Sequence, residues 1–286
     1  MPIVGVLTDS CASIPEALIE ELCIKVIPYY MHRGLETLRD LVDVQREEFF
    51  RWLPTAKELP KTANPGPGEY LEAFQGLAQR AREIVSIHMT SIGSGAYQSA
   101  MTAKEMAKDA LPDLRIEVLD SRNVSLCQGW MVIEAARAAL AGKSLDDIVQ
   151  LVKEMIPKTR MIQTADTLRY LYMGGRIGKA QHLVGSLLRI KPLIGMEDGV
   201  IVPLGTARSR RKAYARMAEM MEEAVGYLGR VKVAFVHAAA LEEVAKLRAE
   251  VEQRLTCVET LVAELSPALG VHTGPGTAGV CYFPVD

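Results

Sequence analysis

The sequence predicts a two-domain α/β protein, in which an α/β/α layer domain with a parallel sheet is followed by a two-layer α/β domain with a mixed sheet. Strand-like and helix-like segments alternate through the first half, which is typical of a parallel sheet covered by helices on both faces. After Thr159 the strand candidates multiply, and 286 residues are many for one hydrophobic core. We expect residues 1–158 to form the first domain and residues 159–286 the second.

Apolar runs and recognisable helix starts define the elements of the first domain. The capping-box pattern from Ser13 to Glu16 predicts a helix to about Leu22, and Pro67 is placed to begin a helix that runs to about Arg82. Ser144 has the position of an N-cap for the last helix of this domain. The predicted strands are residues 3–7, 24–30, 84–89 and 115–119, and further helices are predicted over residues 44–53, from residue 96 onward and over residues 127–141.

The second domain is predicted to contain six strands and two long helices. The turn Glu197-Asp198-Gly199 between two apolar runs predicts a β-hairpin, because Asp-Gly favours a tight turn between strands. The strand candidates are residues 160–165, 191–196, 200–204, 231–236, 258–264 and 277–283, and the helices are residues 207–227 and 241–255. A mixed sheet with helices on one side is the simplest arrangement of these elements.

The composition disfavours several classes of function. A net charge of −2 with 24% charged residues gives no general attraction to nucleic acid or to an anionic membrane. The five cysteines are scattered without a close pair, which disfavours a zinc cluster or a redox pair and is typical of buried thiols in a reducing compartment. The chain shows no leader pattern and no apolar segment of membrane-spanning length, so we expect a cytoplasmic protein without stable membrane insertion.

The loop around Ser94 and Gly95 is the strongest candidate for a binding site. It joins an apolar strand to the helix that begins at Ala96, and the unpaired N–H groups and positive macrodipole end of a helix start suit such a turn to holding an anion. The Ser94 hydroxyl either caps this helix or donates to a ligand, and spacing alone favours neither. The loop lacks the later glycine of a dinucleotide fingerprint, and no Walker lysine follows it.

Two further loops carry candidate residues. His272 lies in a Gly/Pro loop between two strand candidates, where a histidine is more often solvated or bonded to the backbone than functional. Arg176 follows a glycine pair and belongs to a basic cluster that is either a docking face for an acidic partner or a solvated surface. The cluster comprises Arg176, Lys179, Arg189, Lys191, Arg208, Arg210, Arg211 and Lys212.

Six motifs, taken in order, resemble the DegV family of bacterial fatty-acid-binding proteins, which includes the binding subunit of fatty acid kinase. They extend over nearly the whole chain, and together they are far more specific than any one of them. They are Leu7-Thr-Asp-Ser10, Lys61-Thr-Ala-Asn-Pro65, Ser94-Gly-Ala-Tyr-Gln-Ser-Ala100, Asp120-Ser121 with Gln128-Gly129, Leu168-Arg-Tyr-Leu171 with Gly174-Gly-Arg-Ile177, and Gly270-Val-His-Thr-Gly-Pro-Gly276.

The resemblance implies a non-catalytic protein that binds a long-chain fatty acid such as palmitate or oleate, with no cofactor besides this ligand and no metal. Thr62, Ser94 and Gly95 would hold the carboxylate, His272 would lie near the same headgroup, and a separate ATP-dependent kinase subunit would dock near Arg176. The protein would present the carboxylate for phosphorylation or serve in lipid transport and fatty acid metabolism. The alternative is an enzyme that acts on a small carboxylated or phosphorylated substrate at Ser94 and His272.

This chain departs from the family pattern beside both groups that would hold the carboxylate. Ala63, Asn64 and Gly66 stand where serine, glutamine and serine are common, and Ala96 stands where threonine is usual. The changes remove hydroxyl groups beside the proposed carboxylate. The hydroxyls of Thr62 and Ser94, which would hold the carboxylate, are retained.

Overall fold

A computed structural model describes residues 4–186 and 190–285 of the chain. The strands are β1 (Val4–Asp9), β2 (Lys25–Ile27), β3 (Tyr30–Arg33), β4 (Glu36–Arg39), β5 (Lys61–Ala63), β6 (Glu83–His88), β7 (Arg115–Asp120), β8 (Arg160–Thr164), β9 (Lys191–Glu197), β10 (Val200–Ala207), β11 (Arg230–His237), β12 (Thr256–Glu264) and β13 (Ala278–Pro284). The helices are α1 (Glu16–Glu21), α2 (Arg46–Trp52), α3 (Pro67–Ala78), α4 (Ala96–Ala110), α5 (Ser125–Leu140), α6 (Leu145–Met155), α7 (Arg169–Met173), α8 (Arg210–Val225), α9 (Leu241–Glu252) and α10 (Pro267–Thr273).

The first sheet is parallel throughout, with strand order β2-β1-β6-β7. Neighbouring residues of a strand point to opposite faces, so Leu7 packs with α3 and α4, whereas Val6 packs with α5 and α6. Both faces are therefore buried. This confirms the α/β/α arrangement that the alternating sequence pattern predicts.

The second sheet is mixed, with strand order β10-β9-β8-β13-β11-β12. The pair β11–β12 is parallel and the other pairs are antiparallel, and α8 and α9 cover one face. The other face packs on α5, where the Trp130 indole N–H donates to the Cys281 carbonyl at 3.1 Å. The predicted hairpin between β9 and β10 is confirmed, with positive φ angles of 47° at Asp198 and 81° at Gly199.

A small antiparallel sheet with strand order β4-β3-β5 was not expected from the sequence. The single strand predicted over residues 24–30 is wrong, since it divides into β2 and β3, and the loop predicted around Thr62 begins with β5. These strands are short and largely polar, and Met31 is their one buried residue. They are stabilised by hydrogen bonds between the strands rather than by burial of an apolar face. The sequence therefore shows no alternation of apolar and polar residues in these strands.

Serines at two predicted helix starts behave differently. Ser13 does not cap α1, because it has a left-handed φ of 52° and its Oγ accepts from the Ser266 N–H at 3.0 Å. The helix begins at Glu16 without a side-chain cap. Ser144 does cap α6, as predicted, and accepts from the Asp147 N–H at 3.2 Å.

His272 lies on a helix and not in the Gly/Pro loop that the sequence predicts. The preceding residues, from Pro267 to Val271, are buried and form α10, whose first turn is capped by Ser266. Gly270 lets this helix approach α2 closely, since a Cβ at this position would lie 2.5 Å from the Phe50 ring. The prediction is wrong because the glycines and the proline that follow are typical of a loop. The apolar helix before them is short, and its pattern was not recognised.

Candidate functional site

A cavity of about 400 Å³ lies beyond the carboxyl ends of β1, β6 and β7, between the parallel sheet and the mixed sheet. This is the edge at which parallel sheets bind ligands, and the volume is in the range of small-molecule sites. Thr62, Ser94, Gly95, Arg176 and His272 all line it. The structure thus brings every sequence-predicted site residue to one cavity.

The Thr62 hydroxyl and the His272 imidazole form one polar pair, with 2.8 Å between Oγ1 and Nε2. The two residues are 210 positions apart in the chain, and they meet because α10 packs beside β5. If Nε2 carries the proton and donates to Thr62, the Thr62 hydroxyl proton is free to donate to a ligand. In that tautomer the imidazole leaves Thr62 as a donor to the ligand.

The imidazole of His272 is neutral at physiological pH. Burial, together with the positive charge of Arg176, lowers the pKa of His272 to about 4. Its Nδ1 is buried, has no hydrogen-bond partner among the described residues, and lies against Gly174, where a Cβ would approach it to 2.2 Å. The pattern of the Gly174-Gly175 pair predicts a turn. The pair therefore also leaves space for the imidazole.

The Ser94 hydroxyl forms a second polar pair with Tyr29, at 2.6 Å between the two oxygens. Ser94 Oγ also accepts from the Ala96 N–H at 3.3 Å. Burial, followed by the negative charge of Asp9, raises the pKa of the Tyr29 phenol well above its usual value, so the phenol keeps its proton. When Tyr29 donates, both acceptor positions of Ser94 are filled and its own proton is left for a ligand.

Asn64 ties the Thr62 strand to the start of α4. Its Nδ2 donates to the Ser99 Oγ at 3.0 Å and to the Pro65 carbonyl at 2.8 Å. Gly95 is needed for this approach, since a Cβ there would lie 2.9 Å from the Asn64 Oδ1. Asn64 thus links the two loops that carry the predicted carboxylate ligands. Sequence analysis missed this role, and it missed that of Tyr29, because no short-range pattern marks either residue.

Arg176 lies at the wall of the cavity and is exposed to solvent. Its Nη1 donates to the Gly174 carbonyl at 2.8 Å, and it makes no ion pair with any residue in 4–186 or 190–285. Two members of the predicted basic cluster, Lys191 and Arg210, instead pair with Asp166 at 2.5 and 2.7 Å. Arg189 lies outside the described residues. The cluster is therefore partly neutralised, whereas Arg176 keeps its charge beside the cavity.

Ser94 and His272 do not form a nucleophile and base pair, because each is hydrogen bonded to another residue. The geometry that most resembles a catalytic triad lies elsewhere, where His88 contacts Asp9 at 3.0 Å and Ser86 at 2.7 Å. All three side chains are 0% exposed and none lines the cavity. The Asp9 carboxylate accepts from backbone N–H groups that follow β1 and β6, so this cluster fixes the loops of the site.

A buried carboxyl group, Asp40, positions both polar pairs. It accepts from the Ser10 hydroxyl at 2.5 Å and from the Ala268 N–H, at the start of α10, at 3.0 Å. Ser10 Oγ in turn accepts from the Tyr29 N–H at 3.0 Å. Burial raises the pKa of Asp40 to about 6, against the lowering effect of these hydrogen bonds. One side chain therefore connects the helix of His272 to the backbone of Tyr29.

Among the described residues, no three or more His, Cys, Asp and Glu side chains are grouped so that they would hold a metal ion. No helix in residues 4–186 or 190–285 is both long enough and apolar enough to span a membrane.

The sequence and the fold are similar to known proteins from end to end. The family model described as "Uncharacterised protein, DegV family" matches residues 3–285. A DegV domain-containing protein of Caldanaerobacter subterraneus is 33% identical over 279 residues, which are 98% of each chain. A fatty-acid-binding DegV family protein of Thermus thermophilus has a TM-score of 0.93 at 28% identity, and DegV of Bacillus subtilis, a fatty acid binding protein, has 0.87 at 30%; both comparisons cover 100% of each chain.

Proposed function

Because the chain belongs to the DegV family, we propose that it binds one long-chain fatty acid in the cavity, with the carboxylate at Thr62, Ser94, Gly95 and His272. The observation that carries the proposal is the pairing of Thr62 with His272 and of Ser94 with Tyr29 in a cavity whose other walls are mainly apolar. A fatty acid has the same division between a polar head and an apolar chain.

The polar end offers the donors that a desolvated carboxylate requires. The hydroxyls of Thr62 and Ser94 each have a proton available when His272 and Tyr29 are the donors of the two pairs, and the Gly95 N–H has no partner among the described residues. The 15-residue helix α4 points its positive end at the same place, and Arg176 adds a full positive charge at the wall. Together these groups compensate the buried negative charge.

The acyl chain supplies most of the binding free energy. Each buried methylene contributes about 0.8 kcal/mol, so a tail of about fifteen carbons supplies on the order of 10 kcal/mol before the costs of association. The headgroup residues fix orientation and select a carboxylate. Substitutions there should weaken binding without abolishing it.

We propose further that the bound carboxylate is presented to a separate ATP-dependent kinase subunit that docks near Arg176, with lipid transport as the second role. The support is that Arg176 is exposed and makes no ion pair with any described residue, and that it lies beside the carboxylate site. The proposed domains, residues 1–158 and 159–286, would share the ligand. The first supplies Thr62 and Ser94, and the second supplies His272 and part of the apolar wall.

Mass spectrometry of lipid extracted from the denatured, purified protein tests the binding proposal. We expect one long-chain fatty acid per chain, with weaker retention in Thr62→Ala and Ser94→Ala at unchanged thermal stability. Ser91→Ala is the matched control for Ser94→Ala, because Ser91 lies in the same loop but outside the cavity. Repeated absence of fatty acid, together with no binding of added palmitate or oleate, would refute the proposal. An enzyme at Ser94 and His272 would instead show a turnover that both variants lose.

A further inference from the structure

The tip of the β9–β10 hairpin, residues 196–200, projects beyond the sheet that carries it. Strand β9 pairs with β8 over three residues, and the last of them toward the tip is Gly195. Beyond Gly195 the described strands of the hairpin pair only with each other, as Met196 does with Ile201. We call this tip the flap. Three of its residues line the cavity: Met196, Gly199 and Val200.

Both strands of the hairpin have an irregularity where the flap begins. Strand β10 contains a bulge at Leu204, because its register with β9 shifts between Pro203 and Gly205. The Leu204 side chain lies against Gly195 of β9, where a Cβ would be 2.7 Å from Leu204 Cδ1. A bulge bends its strand locally, and a glycine places no side chain at the bend. The two strands therefore share one position at which the hairpin can change direction.

Two polar contacts join the flap to residues 4–158. The Thr90 hydroxyl donates to the Gly199 carbonyl at 3.1 Å, in the loop that follows β6. Glycine allows this approach, since a Cβ at Gly199 would lie 2.3 Å from Thr90 Oγ1. The second contact is the ion pair of Arg122 with Asp198 at 3.4 Å, whose side chains are 59% and 93% exposed. The flap thus bridges the two sides of the cavity through one hydrogen bond and one exposed ion pair.

Elsewhere the first and second halves of the chain are joined by buried contacts. Trp130 donates to the Cys281 carbonyl within the core that surrounds α5, and the Ala268 N–H donates to the buried carboxyl of Asp40. Separating these groups would leave buried donors and acceptors unpaired, which is costly. Opening at the flap breaks one neutral hydrogen bond and an exposed ion pair, and exposed ion pairs contribute little. The flap is therefore the side of the cavity that opens at the lowest cost.

We propose that the flap is the gate of the cavity, that it turns about Gly195 and Leu204 to admit and release the fatty acid, and that the Thr90 hydroxyl latches it closed. This inference rests on the proposed function. The turn moves as one unit, because Asp198 and Gly199 hold the positive φ angles of a tight hairpin turn. The gate governs the rates of uptake and release, whereas the acyl chain and the headgroup residues govern affinity.

A disulfide that locks the flap tests the proposal. In the double variant Thr90→Cys with Gly199→Cys the two Cβ atoms would be 3.4 Å apart, close to the separation of about 3.5–4.5 Å that a disulfide requires. Full-length, delipidated protein is loaded with the fluorescent fatty acid cis-parinaric acid, and its release into excess palmitate is followed by stopped flow. After oxidation with diamide we expect release to slow about 10-fold or more, and reduction should restore it. The reduced form is the matched control, since it carries the same substitutions.

Removal of the latch gives an independent readout should the double variant fail to fold. Thr90→Val keeps the shape of the side chain and removes its hydroxyl, so release should be about 5-fold faster than in the parent protein, as expected for one neutral hydrogen bond. Uptake should also be faster, and the equilibrium affinity should change less than either rate. Thr102→Val is the matched control, because the Thr102 hydroxyl donates to the Gln98 carbonyl within α4 at 3.0 Å and does not line the cavity.

The outcomes distinguish the gate from the proposed function. Equal release rates of the oxidised and reduced double variant would overturn the gate and leave fatty-acid binding intact, since the ligand would then leave past Arg176 with the flap closed. Equal slowing in the oxidised single variant Thr90→Cys would overturn it too, because no bond to the flap can form there. Release from Thr90→Val at the rate of Thr102→Val would overturn the latch. Failure of the parent protein to bind either fatty acid would overturn the proposed function and the gate together.

Discussion

The hydroxyl of Tyr29 lies 2.6 Å from the hydroxyl of Ser94, and the direction of this hydrogen bond decides whether the Ser94 hydroxyl proton is available to a ligand. Ser94 already accepts from the Ala96 N–H, so its acceptor capacity is filled when the Tyr29 phenol is the donor of their hydrogen bond. Capping and ligand donation, which the sequence leaves as alternatives, are therefore compatible. The backbone and the phenol use the oxygen, and the ligand uses the proton.

Tyr29→Phe should weaken fatty-acid binding about 3- to 10-fold, because one neutral hydrogen bond that orients Ser94 is lost. Isothermal titration with palmitate measures the change. Tyr30→Phe is the matched control, since its hydroxyl bonds Glu69 and the residue does not line the cavity. Equal affinities for the two variants would contradict the role assigned to Tyr29.

The Ser94 and Gly95 site could be predicted because all its signals are local. A strand, a glycine loop and a helix start follow one another within a dozen residues, and helix termini bind anions wherever they occur. The pairing of Thr62 with His272 is different, because it depends on how α10 docks against β5 across 210 positions. Only the family resemblance placed these two residues together, since periodicity carries no information on such contacts.

Gly174→Ala should displace the His272 imidazole, since the added Cβ would lie 2.2 Å from Nδ1. We expect a destabilisation of about 1–3 kcal/mol and weaker fatty-acid binding. Urea denaturation and palmitate titration measure the two effects. Gly76→Ala, in the last turn of α3 with open space around it, should instead be stabilising by about 0.5–1 kcal/mol. If Gly174→Ala and Gly76→Ala changed the free energy of unfolding by the same small amount, the imidazole would not be confined by Gly174.

Two buried groups contribute to the pH dependence of stability with opposite signs. The pKa of His272 is about 4, below its ordinary 6.5, so its contribution is present above pH 6.5 and is lost as the pH falls toward 4. The pKa of Asp40 is about 6, above its ordinary 3.8, so its contribution is present below pH 3.8 and is lost as the pH rises through 6. Between pH 4 and 6 the two slopes oppose each other.

Single substitutions should separate these slopes. Relative to the parent protein, the free energy of unfolding of His272→Gln should fall as the pH rises from 4 to 6.5. That of Asp40→Asn should rise relative to the parent between pH 4 and 6. Urea denaturation at half-unit pH steps measures both differences. Differences that do not vary with pH would contradict the buried, perturbed state of these groups.

Arg176→Ala should raise the pKa of His272, because a nearby positive charge is removed. The pKa should remain below 6.5, since burial is the larger cause of the shift. An NMR titration of the imidazole measures the change, with Lys179→Ala as a control on the same exposed segment. An unchanged pKa in Arg176→Ala would place the guanidinium too far from the headgroup site to act on a bound carboxylate.

The parts of the fold that the sequence does not reveal are those held by pairing or by distant packing. The strands of the small sheet are too polar to show alternation, and Ser13 has the composition of a cap but bonds Ser266 from the other end of the chain. The role of Asp40 could not be predicted from the sequence for the same reason. Its role depends on three segments that meet only in the folded chain.

A crystal structure of the delipidated protein soaked or co-crystallised with stearate at neutral pH tests the central claim most directly. We expect the carboxylate oxygens within hydrogen-bond distance of Thr62 Oγ1 and Ser94 Oγ, and the acyl chain inside the cavity along the wall that contains Met161 and Ile194. A carboxylate bound elsewhere, or a chain that lies outside this cavity, would contradict the proposed mode of binding.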